Sequence, residues 1–82
     1  MITAITAKLR TRDHIEAQAN LFENICVEAI NTAIYKGNYS CYVNTSNYLR
    51  SSIEEVIEKL KYFGYDVRDK CNLLYIYWDD PQ

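Results

Sequence analysis

The sequence predicts one α+β domain over residues 1–82, because two amphipathic helical patterns alternate with stretches rich in strand-forming residues. We expect a long helix, a strand, a second helix and a β-hairpin. The strands should form a small, three-stranded, mostly antiparallel sheet packed on the two helices. The predicted bounds are 13–36 for helix 1, 39–43 for strand 1, 52–63 for helix 2, and 65–68 and 73–78 for the hairpin, after an N-terminal arm or short helix over 1–12.

Helix 1 is predicted from the three-and-four spacing of its apolar residues. Asp13 followed by Glu16 resembles a capping box, and Gly37 supplies a left-handed stop. The helix would be about 36 Å long, which exceeds the width of so small a sheet, so we expect one end to reach a partner. Residues 3–10 favour a short helical turn over an extended arm. The apolar positions are Ile15, Phe22, Ile25, Cys26, Ala29, Ile30 and Ala33.

Helix 2 has two overlapping capping boxes, Ser51 with Glu54 and Ser52 with Glu55, and Gly64 ends it. Its acidic residues precede its basic residues, which suits the helix dipole. Its apolar stripe comprises Ile53, Val56, Ile57, Leu60 and Phe63.

The strands are predicted from alternation and composition. Strand 1 has Tyr39, Cys41 and Val43 on one face. In the hairpin, 65–68 alternates apolar and charged residues, 69–72 is turn-like, and 73–78 is apolar on both faces.

Composition narrows the functional classes. The net charge of -2 creates no positive field for nucleic acid or an anionic membrane. The cysteines Cys26, Cys41 and Cys71 are odd in number, lack CxxC spacing and lie in apolar runs, so we expect reduced, structural thiols. We expect no signal peptide and no membrane span.

No residue pattern predicts catalysis, a metal site or a cofactor. His14 is the only histidine and lies in no nucleophile motif, and the cysteine spacing does not suit zinc. The acidic pair Glu54-Glu55 is explained by helix capping, and Asp79-Asp80 by a solvated strand end. The two glycines are needed as helix stops, which leaves none for a phosphate loop. We therefore expect a protein that is not an enzyme.

Aromatic residues are the unusual feature of the sequence: ten of the eleven fall between Tyr35 and Trp78. A two-helix domain cannot bury them all, and exposed tyrosines are typical of protein interfaces. Alternation places Tyr42, Tyr75 and Tyr77 on the faces opposite Cys41 and Ile76, and Tyr48 lies on a loop. The candidate partner-binding residues are Tyr42, Tyr48, Tyr75 and Tyr77.

A helix followed by a hairpin also resembles the winged-helix DNA-binding module. Here the second helix begins with acidic residues, and the hairpin bases Arg68 and Lys70 are matched by Asp66 and Asp69. Phosphate contacts would be few, so we do not expect a nucleic-acid partner.

Four segments together resemble a group of small bacteriophage proteins without an established function. They are residues 1–4 (Met-Ile-Thr-Ala), 29–37 leading into a strand, 60–67 around Gly64, and the closing 76–78, which reads Ile-Tyr-Trp where the group has Ile-Ser-Trp. The resemblance covers nearly the whole chain. It implies a viral origin and carries over no functional residues.

Three functions follow as hypotheses. The first is a non-enzymatic virion or assembly component that acts through protein–protein interaction, located in the host bacterial cytoplasm and in the particle. The second is a host-takeover or anti-defence protein that inhibits a bacterial factor or sequesters a nucleotide signal. The third is a small DNA-binding regulator. Because small domains have thin stability margins, a homo-oligomer is also expected.

Overall fold

The computed structural model describes residues 1–79, and within them two helices pack on one face of a three-stranded antiparallel sheet of order β1-β3-β2. The predicted α+β fold is therefore confirmed. The central strand, β3, is the last strand of the hairpin and pairs with both of the others. The elements are α1 (Ala4–Tyr35), β1 (Ser40–Asn44), α2 (Arg50–Tyr62), β2 (Asp66–Lys70) and β3 (Leu73–Tyr77).

The first helix begins at Ala4, well before the predicted start at Asp13. Thr3 is its N-cap, and the Thr3 hydroxyl oxygen accepts the backbone N–H of Thr6 at 3.2 Å. The predicted capping box at Asp13 and Glu16 is wrong, because both residues lie inside the continuous helix. Residues 4–12 contain strong helix formers and neither glycine nor proline, so the helix continues without an apolar stripe to mark it.

Both predicted glycine stops are confirmed. Gly37 and Gly64 have φ values of +78° and +96°, and each follows the last residue of its helix by two positions. In both cases the residue after the glycine donates its N–H to the carbonyl five positions earlier, at 2.8 Å after α1 and 3.1 Å after α2. These are Schellman motifs, which satisfy the last helical carbonyls.

The second helix begins at Arg50 without the predicted capping boxes at Ser51 and Ser52. Its N-cap residue is Leu49, and no side chain caps the helix there. The Ser52 side chain is completely buried and donates its hydroxyl to the carbonyl of Ile15 at 2.8 Å. The serine that resembled a cap is thus a hydrogen-bonded link between the two helices.

The hairpin turn is tighter than predicted. Cys71 and Asn72 alone form it, with φ values of +44° and +63°, and the strands extend to Lys70 and from Leu73. Positive φ at both central residues is the type I′ geometry whose twist matches that of paired strands. Asparagine tolerates this conformation, whereas cysteine has no special preference for it.

The core lies between the sheet and the helices. Leu74 and Ile76 of the central strand are completely buried, as is Phe22 of α1. The helices run in the same direction, since Ser52 contacts Ile15 and, further along both, Lys59 contacts Glu23. The first helix lies nearer β1 and the second nearer β2. The core side chains are Ala19, Phe22, Cys26, Ile30, Val43, Ile53, Val56, Leu60, Val67, Leu74 and Ile76.

The first three turns of α1 project beyond the domain. Within the described residues, the first α1 side chain in the core is that of Ala19, the half-buried Ile15 accepts the Ser52 hydroxyl through its carbonyl, and the core contains no residue of 4–14. The molecule accordingly measures 53 × 23 × 22 Å. Ile5 and Leu9 are exposed on this projecting arm, which is about 16 Å long.

Replacing Ser52 with alanine should lower the free energy of unfolding by about 0.5–1.5 kcal/mol, because it removes a buried inter-helix hydrogen bond. Ser51→Ala is the matched control, since Ser51 is exposed and makes no cap. Urea unfolding followed by circular dichroism would measure both. Equal losses of unfolding free energy in the two variants would indicate helix capping, and not the hydrogen bond to Ile15, as the source of the stabilisation.

Replacing Cys71 with asparagine should raise the free energy of unfolding by about 0.5–1 kcal/mol, because asparagine adopts positive φ more readily. Cys71→Ala also removes the thiol but gains no such preference, so it should not be stabilised. Thermal unfolding of the two variants would measure the difference. If the alanine variant were also stabilised, the gain in stability would come from loss of the thiol and not from the backbone preference of asparagine.

Candidate interaction surface

The sheet face opposite the helices is uncovered by any element of residues 1–79, and tyrosines occupy its centre. The register places Tyr42 of β1 directly across from Tyr75 of β3. Their ring centroids are 6.3 Å apart, and the rings of Tyr75 and Tyr77 are stacked at 6.5 Å with an angle of 17° between their planes. We call Tyr42, Tyr75 and Tyr77 the tyrosine face.

Polar and charged side chains border the tyrosine face on both sides. On β2, Asp66 and Arg68 pair in register with Tyr77 and Tyr75, and the Arg68 Nε lies 3.8 Å from the Asp66 Oδ1. On β1, Ser40 lies across from Tyr77. The face is therefore an uncharged aromatic centre with hydrogen-bonding groups at its borders, which is the usual composition of a protein-binding surface.

The structure separates Tyr48 from the other three candidate tyrosines. Tyr48 is half-buried on the helix side of the sheet, where its ring centroid lies 5.0 Å from that of Phe22. The loop after β1 turns back on itself, since the Tyr48 N–H donates to the Thr45 carbonyl at 3.2 Å. This turn directs the ring toward the core. Tyr48 therefore lies apart from Tyr42, Tyr75 and Tyr77, and its role in partner binding stays a prediction.

A second exposed aromatic pair lies at the end of α2. Phe63 was predicted in the apolar stripe of the helix, but it is 67% exposed and meets Tyr62 edge to face at 5.5 Å. Phe63 is the C-cap residue, so the backbone has already left the helical period that the prediction assumed. The glycine that follows Phe63 already indicated in the sequence that the helix ends at this point.

An apolar groove of about 380 Å³ lies beside this pair, between the two helices. Val27, Leu60 and Phe63 are among its lining residues. At its rim the Lys59 ammonium lies 2.6 Å from the Glu23 carboxylate. The groove is shallow and shares no residue with the tyrosine face.

The cysteines are free thiols in three different environments: Cys26 is buried, Cys41 is half-buried and Cys71 is exposed. Burial raises the pKa of the Cys26 thiol from 9.0 to about 12, with further contributions from Cys41 and the Glu23 carboxylate. Burial also raises the pKa of Cys41. Both thiols are therefore protonated at neutral pH and are poor nucleophiles.

The ionisable side chains of residues 1–79 form no cluster of three or more metal-ligating groups. His14 is exposed on the projecting arm of α1. Glu54 pairs with Arg50, which also bonds Asp69, so the Glu54 carboxylate is engaged with a base. Of the acidic pair at the end of the chain, Asp79 is exposed, and Asp80 lies outside the described residues.

Two wider findings accompany this geometry. Among the described residues, no helix combines the length and apolar character that crossing a membrane requires. Comparisons with protein-family models, curated proteins and solved structures found no match to this chain. Because the comparisons offer no related protein, the function has to be inferred from the geometry of the tyrosine face.

The buried Cys26 thiol should resist alkylation in the native protein while exposed Cys71 reacts. Because the folded-state pKa of Cys26 is about 12 and its ordinary value is 9.0, the native state holds this proton between those pH values and the unfolded state releases it. The free energy of unfolding should therefore fall as pH rises through this range. Iodoacetamide labelling followed by mass spectrometry, and urea unfolding at several pH values, would test both effects.

The control is Cys26→Ala, in which the decline of stability with pH should be shallower than in the native sequence. An unchanged slope, or rapid labelling of Cys26 under native conditions, would contradict the assignment.

Proposed function

We propose that this chain is a non-enzymatic bacteriophage protein that binds another protein through its tyrosine face, as a small component of the virion or of its assembly. The observation that supports this is the line of three tyrosine rings on an uncovered sheet face. The viral origin rests on the resemblance of the sequence to small bacteriophage proteins.

The energetics of tyrosine favour binding over a merely solvated surface. Tyrosine supplies a large contact area and has few rotatable bonds, so little conformational entropy is lost when a partner covers it. The rings of Tyr75 and Tyr77 are also ordered against each other before any partner arrives. Such preorganisation strengthens binding because fewer degrees of freedom are lost on association.

The charge distribution favours a protein partner over nucleic acid. Arg68 lies beside Asp66, Arg50 bonds Asp69, and Lys59 bonds Glu23. These bases are thus close to acids, and the whole chain has a net charge of -2. Nucleic-acid binding depends on several basic groups that neutralise phosphates, and this surface offers few.

The projecting arm of α1 supports an assembly role over a single small-molecule site. Ile5 and Leu9 on the arm are exposed, and the arm places them away from the tyrosine face. A component with two separated contact surfaces can link neighbouring subunits. A host-takeover or anti-defence protein is the alternative, and it would use the tyrosine face against a bacterial factor instead.

Mass spectrometry of purified virus particles should detect the chain, and Tyr75→Ala should lower its incorporation by about tenfold, as loss of a central interface tyrosine does. Tyr35→Ala is the matched control, since Tyr35 is 95% exposed and lies outside the face. Thermal unfolding should show that both variants fold.

Absence of the native chain from the particles would exclude the virion role and leave the host-directed alternative. Equal incorporation of the two variants would mean that the tyrosine face is not the contact.

A further inference from the structure

The two edges of the sheet differ sharply in charge. The β2 edge, Asp-Val-Arg-Asp-Lys, has a charged residue at every position but one, whereas the β1 edge, Ser-Cys-Tyr-Val-Asn, has none. Charged side chains on an edge strand oppose pairing with another chain, and an uncharged edge permits it. The β2 edge is therefore protected, and the β1 edge is open.

The hydrogen-bond pattern shows which backbone groups of β1 are directed outward. The Trp78 N–H donates to the Tyr39 carbonyl at 3.0 Å, and the Thr45 N–H donates to the Asn72 carbonyl at 2.9 Å. In an antiparallel ladder such bonded pairs recur at every second residue. The odd-numbered residues of β1 therefore bond to β3.

It follows that Ser40, Tyr42 and Asn44 direct their N–H and C=O groups away from the sheet. The side chains of the same three residues lie on the outer face, where Ser40 and Tyr42 are beside the tyrosines of β3 and Asn44 is beside Leu73. A groove of about 940 Å³ borders this edge, and its lining includes Ala29 and Ala33 of α1 as well as Tyr42 on the outer face. The edge is thus accessible to a further strand.

We propose that β1 pairs antiparallel with β1 of a second copy of this chain, in a register centred on Tyr42. Tyr42 then lies opposite Tyr42 of the second copy, and Ser40 opposite Asn44. In this register the outward N–H and C=O groups of all three residues find partners across the two-fold axis. The two three-stranded sheets join into one continuous sheet.

A second copy fits this edge because the edge is complementary to itself. Its outward residues are spaced evenly about Tyr42, and none is charged, so two copies meet without like-charge repulsion. On the helix side, half-buried Cys41 lies opposite buried Val43 of the second copy. The second copy would thereby cover the part of Cys41 that is still exposed. On the outer face the two Tyr42 rings become neighbours.

The dimer has a geometric consequence for the tyrosine face. A two-fold axis perpendicular to the joined sheet keeps both outer faces on the same side, so the aromatic surfaces of the two copies become one. The pairing itself depends only on the edge and not on the proposed function. Pairing through β1 and partner binding through the tyrosine face can therefore be disproved independently of each other.

Paired charge variants test the edge and its register together. In Ser40→Lys/Asn44→Lys, lysines lie opposite lysines, and the dimer should dissociate. In Ser40→Glu/Asn44→Lys, each glutamate lies opposite a lysine, and the dimer should persist with a dissociation constant about tenfold lower than that of the first variant. Sedimentation equilibrium of the native chain and both variants would measure this.

The variants are matched, because both change the same exposed positions, and circular dichroism would verify that each folds. A native chain that is monomeric at about 100 μM would overturn the proposal, since a dissociation constant above that range provides no stable dimer. Equal dissociation constants for the two variants would also overturn it. Tyr75→Ala, which alters the tyrosine face but not the edge, should leave the dimer intact.

Cross-linking provides a second measurement of the register. In a Cys71→Ser background, Tyr42→Cys places two thiols opposite each other across the axis, and mild oxidation should yield a disulfide-linked dimer. Asn44→Cys is the control, because its opposite residue is Ser40 and no symmetric disulfide can form. Cross-linking of the control to the same extent would overturn the register.

Discussion

Leu74 and Ile76, completely buried on the central strand, join the sheet to the helices, and the rest of the structure depends on this contact. Because β3 pairs with both neighbours, its helix-side residues fix the alternation of the whole sheet. Two helices are wide enough to cover one face of three strands and no more. Tyr75 and Tyr77 must then lie on the outer face, where both are half-buried, so the aromatic surface follows directly from the way in which the core is formed.

Most of the fold was predictable because its signals are local. Glycine stops, strand alternation and the apolar stripes depend on neighbouring residues, and they gave the element order and the outward direction of Tyr42, Tyr75 and Tyr77. The errors arose where the deciding contact is distant in sequence. Ser52 resembled a cap, but its hydroxyl bonds a carbonyl 37 residues away in sequence. The packing of the Tyr48 ring against Phe22 likewise left no local signal.

The start of α1 shows a different kind of error. An amphipathic stripe marks the part of a helix that packs on a core, not the extent of the helix itself. Residues 4–12 are helical through intrinsic propensity and the Thr3 cap, so they left no periodic signal. Sequence periodicity therefore identified the packed part of α1 and missed the part that projects.

The projecting arm also frees part of the sequence from the demands of folding. Substitutions between residues 4 and 14 remove no core contact, so they change the free energy of unfolding little and are tolerated more readily than changes at Phe22 or Leu74. In a lineage of related chains the arm can accordingly diverge fast while the sheet stays constant. Evolution then has a region in which new binding preferences arise without loss of the fold.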